Sequence, residues 1–296
     1  MLKNKTSVAL FKKTAIFFSL IISFFFIISC SAKNQPQSPQ DPKNTNIISQ
    51  ANQLFARGEY ELATKAFSKA IEKNSQNSTL FFFRALCMEN LGKTGQAIKN
   101  YNQVLQIEPN SVETLTNRGI AKALINKDKQ AIQDLQQALN LNADNPIITF
   151  NLGLIYSRQK QHQKAIQMFS KTININPSFS QAFNNRGVAY LETKHLKKAL
   201  QDFSQAINLD QSHAEYFFNR GITYAELGDP DHAFSDYTSA LEIDPDLTAA
   251  LYNRGLLQIH LGNEQKGCAD LRQSCDQGLC GKYNNPKMKQ LCNKNN

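Results

Sequence analysis

The triplet Asn-Arg-Gly stands at 117–119, 185–187, 219–221 and 253–255, and Asn151-Leu152-Gly153 fills the gap with one change, so that successive copies lie 34 residues apart. A period of this length belongs to no single helix or strand. It implies a supersecondary unit copied along the chain, each copy burying its apolar face against the next. Other columns keep the same register. Ala63, Ala97, Ala131, Ala165, Ala199 and Ala233 form one, and Ala51, Ala85, Gly119, Gly153, Gly187, Gly221 and Gly255 a second. Phe67, Tyr101, Leu135, Phe169, Phe203, Tyr237 and Leu271 form a third, and Pro109, Pro177 and Pro245 close three of the units. A small residue facing a bulky one lets two helices approach closely. Pro ends the second helix because it lacks the donor and clashes with the preceding turn.

Small, small, aromatic and Pro at these offsets resemble the tetratricopeptide repeat, a pair of antiparallel helices per unit. The resemblance covers residues 44–281 as seven units. It implies an all-α fold, a right-handed superhelical solenoid whose first helices line a concave side. Two units depart from the pattern: Thr172 stands where Ala or Val is usual, and Gly267 replaces the Ala of the other units, as though the array were ending. The expected organisation is an export signal over 1–29, a lipidated Cys and flexible tether over 30–45, the solenoid over 46–281 and a stapled tail over 282–296.

Places within a unit are counted here so that the Ala/Gly column is the eighth. The Arg of the triplet is then the seventh, and sixteen residues after Arg118, Arg186, Arg220 and Arg254 stand Asp134, Asp202, Asp236 and Asp270. In the fourth unit both change together, to Leu152 and Met168. A hairpin turning near the fifteenth place sets the seventh opposite the twenty-third. The arginines are therefore read as structural ion pairs rather than as an anion-binding row, despite the match of their forks to carboxylate and phosphate.

Asn117, Asn151, Asn185, Asn219 and Asn253 fill the sixth place. At 100° per residue this place shares a stripe with the second, ninth and thirteenth, roughly opposite the core stripe. Asn is a mediocre helix former, so propensity does not explain its return. Its amide is both donor and acceptor and suits the main chain of an extended peptide. The row resembles the asparagine ladders of the O-linked N-acetylglucosamine transferases, which hold substrate backbone. Phe150, Phe218 and Tyr252 at the fifth place, and Ile120, Leu154, Val188, Ile222 and Leu256 at the ninth, complete an expected peptide-binding groove. The carboxylate clamp of cytosolic chaperone adaptors is absent, since its places hold Thr116 and Ile120, Phe150 and Leu154, Asn184 and Val188.

The net charge of +9 does not point to nucleic acid. Lys3, Lys5, Lys12 and Lys13 contribute to it from within the first 29 residues, which hold no Asp, Glu or Arg, and the other charges are scattered without a basic run interleaved with aromatics. The lysine-bearing start and the apolar run 15–29 read as an export signal, too short for an ordinary membrane span of ~20 residues. Ile27-Ile28-Ser29-Cys30 resembles the lipobox of bacterial lipoproteins. That resemblance implies lipidation at Cys30 and a place on the bacterial envelope, with Ser31 favouring the outer membrane where there is one. Residues 31–45, polar and Pro-bearing, read as a tether.

Of the six cysteines, Cys87 is expected as a buried thiol inside a helix, and Cys268, Cys275, Cys280 and Cys292 cluster near the end. In an oxidising compartment the four allow two disulfides with three connectivities, of which Cys275–Cys280 with Cys268–Cys292 is preferred. A zinc site is disfavoured, because no C-x2-C pair or neighbouring His is present. No phosphate loop, metalloprotease helix or nucleophile elbow occurs, and no His has a second catalytic partner at a suggestive spacing. The expectation is therefore no enzyme and no cofactor. It is a membrane-anchored scaffold for a protein or extended peptide, with a self-associating spacer as the alternative.

Overall fold

The computed structural model describes residues 42–294. They divide into two units, 42–160 and 161–294, and all regular structure among them is helical. The first unit holds α1 (Pro42–Ala56), α2 (Tyr60–Lys73), α3 (Ser78–Asn90), α4 (Thr94–Ile107), α5 (Val112–Leu124), α6 (Asp128–Leu141) and α7 (Pro146–Arg158). The second holds α8 (His162–Ile175), α9 (Ser180–Glu192), α10 (Leu196–Leu209), α11 (Ala214–Leu227), α12 (Pro230–Ile243), α13 (Thr248–His260), α14 (Glu264–Asp276), a 3-10 turn (Gly281–Asn284) and α15 (Pro286–Lys294). In the first unit α1 packs on α2, α3 on α4 and α5 on α6, with α7 against α6; in the second α8 packs on α9, and α9 on α10, α11 on α12 and α13 on α14 form pairs.

One expected boundary shifts: helix α1 begins at Pro42, so the last four residues assigned to the tether are helical. The tail expected to be stapled, 282–296, contains helix α15. The expected export signal and the expected lipidation site at Cys30 lie outside the described residues.

Each pair is built by the columns read above. Phe67, Phe169 and Phe203 are fully buried, as are Tyr101, Leu135, Tyr237 and Leu271. A Cβ built on Gly187 would stand 2.8 Å from Phe203 Cε1, one on Gly119 2.8 Å from Leu135 Cγ and one on Gly221 2.8 Å from Tyr237 Cε1. The eighth place is small because a ring or a leucine occupies the space a side chain would need. Gly267, read as a sign of the array ending, has a packing cause of its own: its added Cβ would meet Gly255 O at 2.6 Å, so α13 and α14 touch backbone to backbone.

The turn inside each unit obeys a second rule with no shared residue type. Gly58, Gly92, Asn126, Lys160, Lys194, Gly228 and Gly262, all at the fifteenth place, have φ between 58° and 85°. This left-handed step ends the first helix and reverses the chain; Gly adopts it freely, Asn readily and Lys at a cost. Asn77, Ser111, Asn145 and Asp229 then cap the helices that follow them by accepting a backbone N–H.

Candidate functional site

The arginine column joins three helices. Arg118 Nε and Nη2 donate to the two carboxylate oxygens of Asp134 at 2.8 and 2.7 Å; Arg186 does the same to Asp202 at 2.8 Å twice, Arg220 to Asp236 at 2.8 Å twice, and Arg254 to Asp270 at 2.7 and 2.9 Å. The remaining nitrogen reaches backward by sixteen residues: Arg118 Nη1 to Asn102 at 2.8 Å, Arg186 to Ser170 at 3.0 Å and Arg220 to Ser204 at 3.2 Å. Each of the four forks pairs the two helices of its own unit, and those of Arg118, Arg186 and Arg220 also tie them to the second helix of the unit before. Burial pushes the Asp202 carboxyl up, and the bonds from Arg186 pull it back. Bonding to Asp236 raises Arg220. These groups are satisfied within the fold, which leaves the arginines no free fork for a ligand.

Sequence reasoning missed a fifth member. Arg84 Nε donates to Asn100 at 2.7 Å and its Nη1 to Ser68 at 3.1 Å, the same two offsets with an amide in place of the carboxylate. The signal was the Arg at the seventh place; a search for Asp sixteen residues on passes over it. Leu152 is fully buried and Met168 half-buried, each described within its own unit.

The asparagines divide. Asn151 Nδ2 donates to Ile147 O and Asn185 Nδ2 to Gln181 O, both at 2.8 Å, so each amide spends a donor on its own helix and keeps Oδ1 as an acceptor. Asn219 Nδ2 donates to Asn184 Oδ1 at 3.0 Å and links neighbouring first helices. Asn117, half-buried, has the Tyr101 hydroxyl as a neighbour. Asn253 is only 1% exposed. The last is a correction: Asn253 is packed inside the fold and is not an open rung.

The fifth place is corrected as well. Phe218 and Tyr252 are buried, the Phe218 ring 6.0 Å from that of Tyr237, and only Phe150 remains half-buried. A helical wheel puts this place beside the ligand stripe, but the neighbouring helix covers it. At the ninth place Ile120, Leu154 and Ile222 are half-buried, while Val188 and Leu256 are buried.

What covers Tyr252 is the tail. Lys282 N donates to Tyr252 Oη at 2.9 Å, and Leu279, Tyr283 and Met288 pack on Tyr252, Leu256 and Leu271. Cys268 is bonded to Cys292 and Cys275 to Cys280, holding α15 and the 3-10 turn against α14. The segment covers apolar side chains of the last helix pair, so it caps the end of the array. Cys87 is fully buried and free, and burial pushes its thiol up to about 11, which makes it an inert core residue.

Helix pairs with a small-against-bulky contact and a left-handed turn every 34 residues define a helical-repeat protein, a class whose exposed first helices serve as binding surface. Models of the tetratricopeptide repeat match residues 48–112, 149–179, 180–213 and 214–247, and a further TPR repeat model matches 124–160; the chain belongs to the tetratricopeptide repeat family. The fold is that of protein-interaction scaffolds. The tetratricopeptide repeat and J domain-containing co-chaperone DNJ1 of Cryptococcus neoformans var. grubii is 31% identical over 75 residues, 25% of this chain and 14% of that protein. The match therefore spans a small part of the relative. A tetratricopeptide repeat protein from Parabacteroides merdae is similar in structure with a TM-score of 0.65 at 17% identity, covering 86% of this chain and 98% of that one. YrrB, described as a TPR protein with an unusual peptide-binding site, reaches a TM-score of 0.55 at 23% identity over 64% of this chain and 98% of that one. Both likenesses are likenesses of fold.

Proposed function

We propose that this protein is a non-catalytic scaffold, anchored by lipid on Cys30 to the membrane of a bacterial envelope, whose first-helix faces hold an extended peptide of a protein partner. The observation that carries the reading is the hydrogen bonding of Asn151 and Asn185. With Nδ2 fixed on its own helix, each amide offers a positioned Oδ1, the group that accepts a backbone N–H of an extended chain. Half-buried Ile120 and Leu154 in one unit and Ile222 in the other supply apolar surface beside them. The anchor rests on the lipobox-like run ending at Cys30.

The test places a photo-crosslinking amino acid at Leu154 and, separately, at Ile222, and irradiates intact cells. The expected products join the protein to a different polypeptide, are lost in the Asn151→Ala/Asn185→Ala variant, and sediment with membranes unless Cys30 is changed to Ser. Crosslinks solely between copies of this chain would replace the reading with the self-associating spacer. A Cys30→Ser protein that stays with the membrane overturns the anchor.

A further inference from the structure

A cavity of about 570 Å³ opens on the 42–160 unit between α1 and α3. Its mouth is made by the stripe that periodicity singled out: Ser49, Asn52 and Ala56 at the sixth, ninth and thirteenth places of the first repeat, with Thr79 and Phe83 at the second and sixth places of the next. All of these but Phe83 are exposed, and Phe83 is half-buried. Buried Phe67 and Leu80 form the floor.

Phe83 departs from its column. The sixth place holds Asn in the five repeats from Asn117 to Asn253, where an amide can meet a backbone; a phenyl ring cannot. The ring is held in place on several sides. It stacks on Phe67 at 5.9 Å with 11° between the planes, and meets Phe55 and Phe82 edge-on at 5.5 and 6.0 Å. What remains of its surface faces the cavity. The ninth place changes the other way, from the aliphatic residues Ile120, Leu154, Val188, Ile222 and Leu256 to Asn52. Apolar and amide groups have thus exchanged places, which sets a fixed aromatic wall beneath an amide rim.

None of the described residues that line the cavity is charged, so an ionic group entering it would lose its hydration without gaining a counter-charge. An aromatic side chain has no such penalty, and the Phe67 and Phe83 rings offer it edge and face contacts. The volume lies within the range of about 300–1,000 Å³ of ligand clefts, enough for a large side chain with main chain beside it. The chain's own residues 31–41 lack the side chain to fill it, since they hold no aromatic residue and no Val, Leu, Ile or Met.

We propose that this cavity anchors the bound peptide by taking one uncharged aromatic side chain, Phe, Tyr or Trp, while the Asn52 and Gln53 amides and the Thr79 hydroxyl at the rim bond the flanking main chain. The inference rests on the peptide-binding reading above and adds to it an aromatic residue at one fixed position of the ligand.

The experiment selects peptides from a displayed random decapeptide library with the full chain. The expected result is a shared aromatic residue at one position. The chain contains no Trp, so a selected peptide with Trp at that position reports its own burial, and its emission should move to the blue on binding. Ser49 is exposed on α1, so Ser49→Phe fills the mouth without entering the core. It should keep the wild-type circular dichroism spectrum, weaken the peptide about tenfold or more and remove the blue shift. Changing the peptide's aromatic residue to Ala should cost the wild type a similar factor and cost Ser49→Phe little more. Selected peptides with no aromatic preference, or losses that simply add, overturn the anchor pocket and leave the peptide reading standing. A wild-type dimer that Ser49→Phe dissociates would seat a second copy in the cavity and overturn the pocket as well. Failure to select any peptide overturns both.

Discussion

Arg186 and Asp202 meet through two parallel hydrogen bonds of 2.8 Å, with the aspartate only 5% exposed. Removing one partner strands the other in the interior, which typically costs ~3–5 kcal/mol, whereas replacing both by fitted apolar residues can be neutral. Arg186→Leu and Asp202→Met should each lower the urea midpoint sharply. The double variant, which copies the Leu152 and Met168 of the fourth unit, should recover much of the loss. Because Arg186 also bonds Ser170, recovery should stop short of wild type. Additive losses in the double-mutant cycle would mean that the pair does not couple.

Gly187 has no room for a side chain. A first carbon would stand 2.8 Å from Phe203 Cε1 and 3.0 Å from Cδ1. Gly187→Leu should cost ~1–3 kcal/mol through overpacking. Thermal unfolding followed by circular dichroism measures it, and an unchanged midpoint would remove the close helix approach as the reason for the small column.

The parts of the fold that were legible are those where one residue type does one job in every unit. The eighth, twentieth and twenty-fourth places repeat because helix crossings repeat. The arginine pairs were legible because both members change together at Leu152 and Met168. Arg84 escaped because its partner is Asn100, and the turn rule escaped because Gly58, Asn126 and Lys160 share a backbone angle and no chemistry. The groove was overdrawn at Phe218, Tyr252 and Asn253. A periodicity argument assigns a residue to a face of its own helix but says nothing of which neighbour lies on that face, and here the neighbours are Tyr237 and the disulfide-held tail. The disulfides Cys268–Cys292 and Cys275–Cys280 are the pairing preferred from the sequence, but the nine-residue helix α15 that the first of them holds is short and polar, so no apolar period marked it as a helix.

That cap is held across a sequence separation of 24 residues by Cys268–Cys292. A crosslink closing a loop of this size is worth about 3 kcal/mol in the chain-entropy model. Cys268→Ser/Cys292→Ser should therefore release α15, uncover Tyr252 and Leu256, and leave the pairs before α13 intact. Hydrogen exchange resolves this: protection should fall over residues 279–294 and in α13 while α9 and α10 keep theirs. Undiminished protection in the tail would show that the apolar contacts alone hold the cap.

Glu89 makes the stability of the fold depend on pH in a direction opposite to that of an ion-paired carboxylate. Its carboxyl is raised from 4.5 to about 7 because burial disfavours the charged form more than the Tyr101 contact favours it. Between these two values the folded chain keeps a proton that the unfolded chain has lost, so the folded state binds more protons and stability falls as pH rises through the window. Above about 7 the contribution levels off at its least favourable value. Glu89→Gln removes the ionisation and keeps the shape. Urea midpoints of wild type and variant should lie close together at about pH 4.5 and separate in favour of the variant by about pH 8. Glu113, raised in the same direction by burial, adds to the wild-type slope that Glu89→Gln leaves behind. Midpoints that keep a constant separation over this range would mean that Glu89 is as well solvated in the folded chain as in the unfolded one.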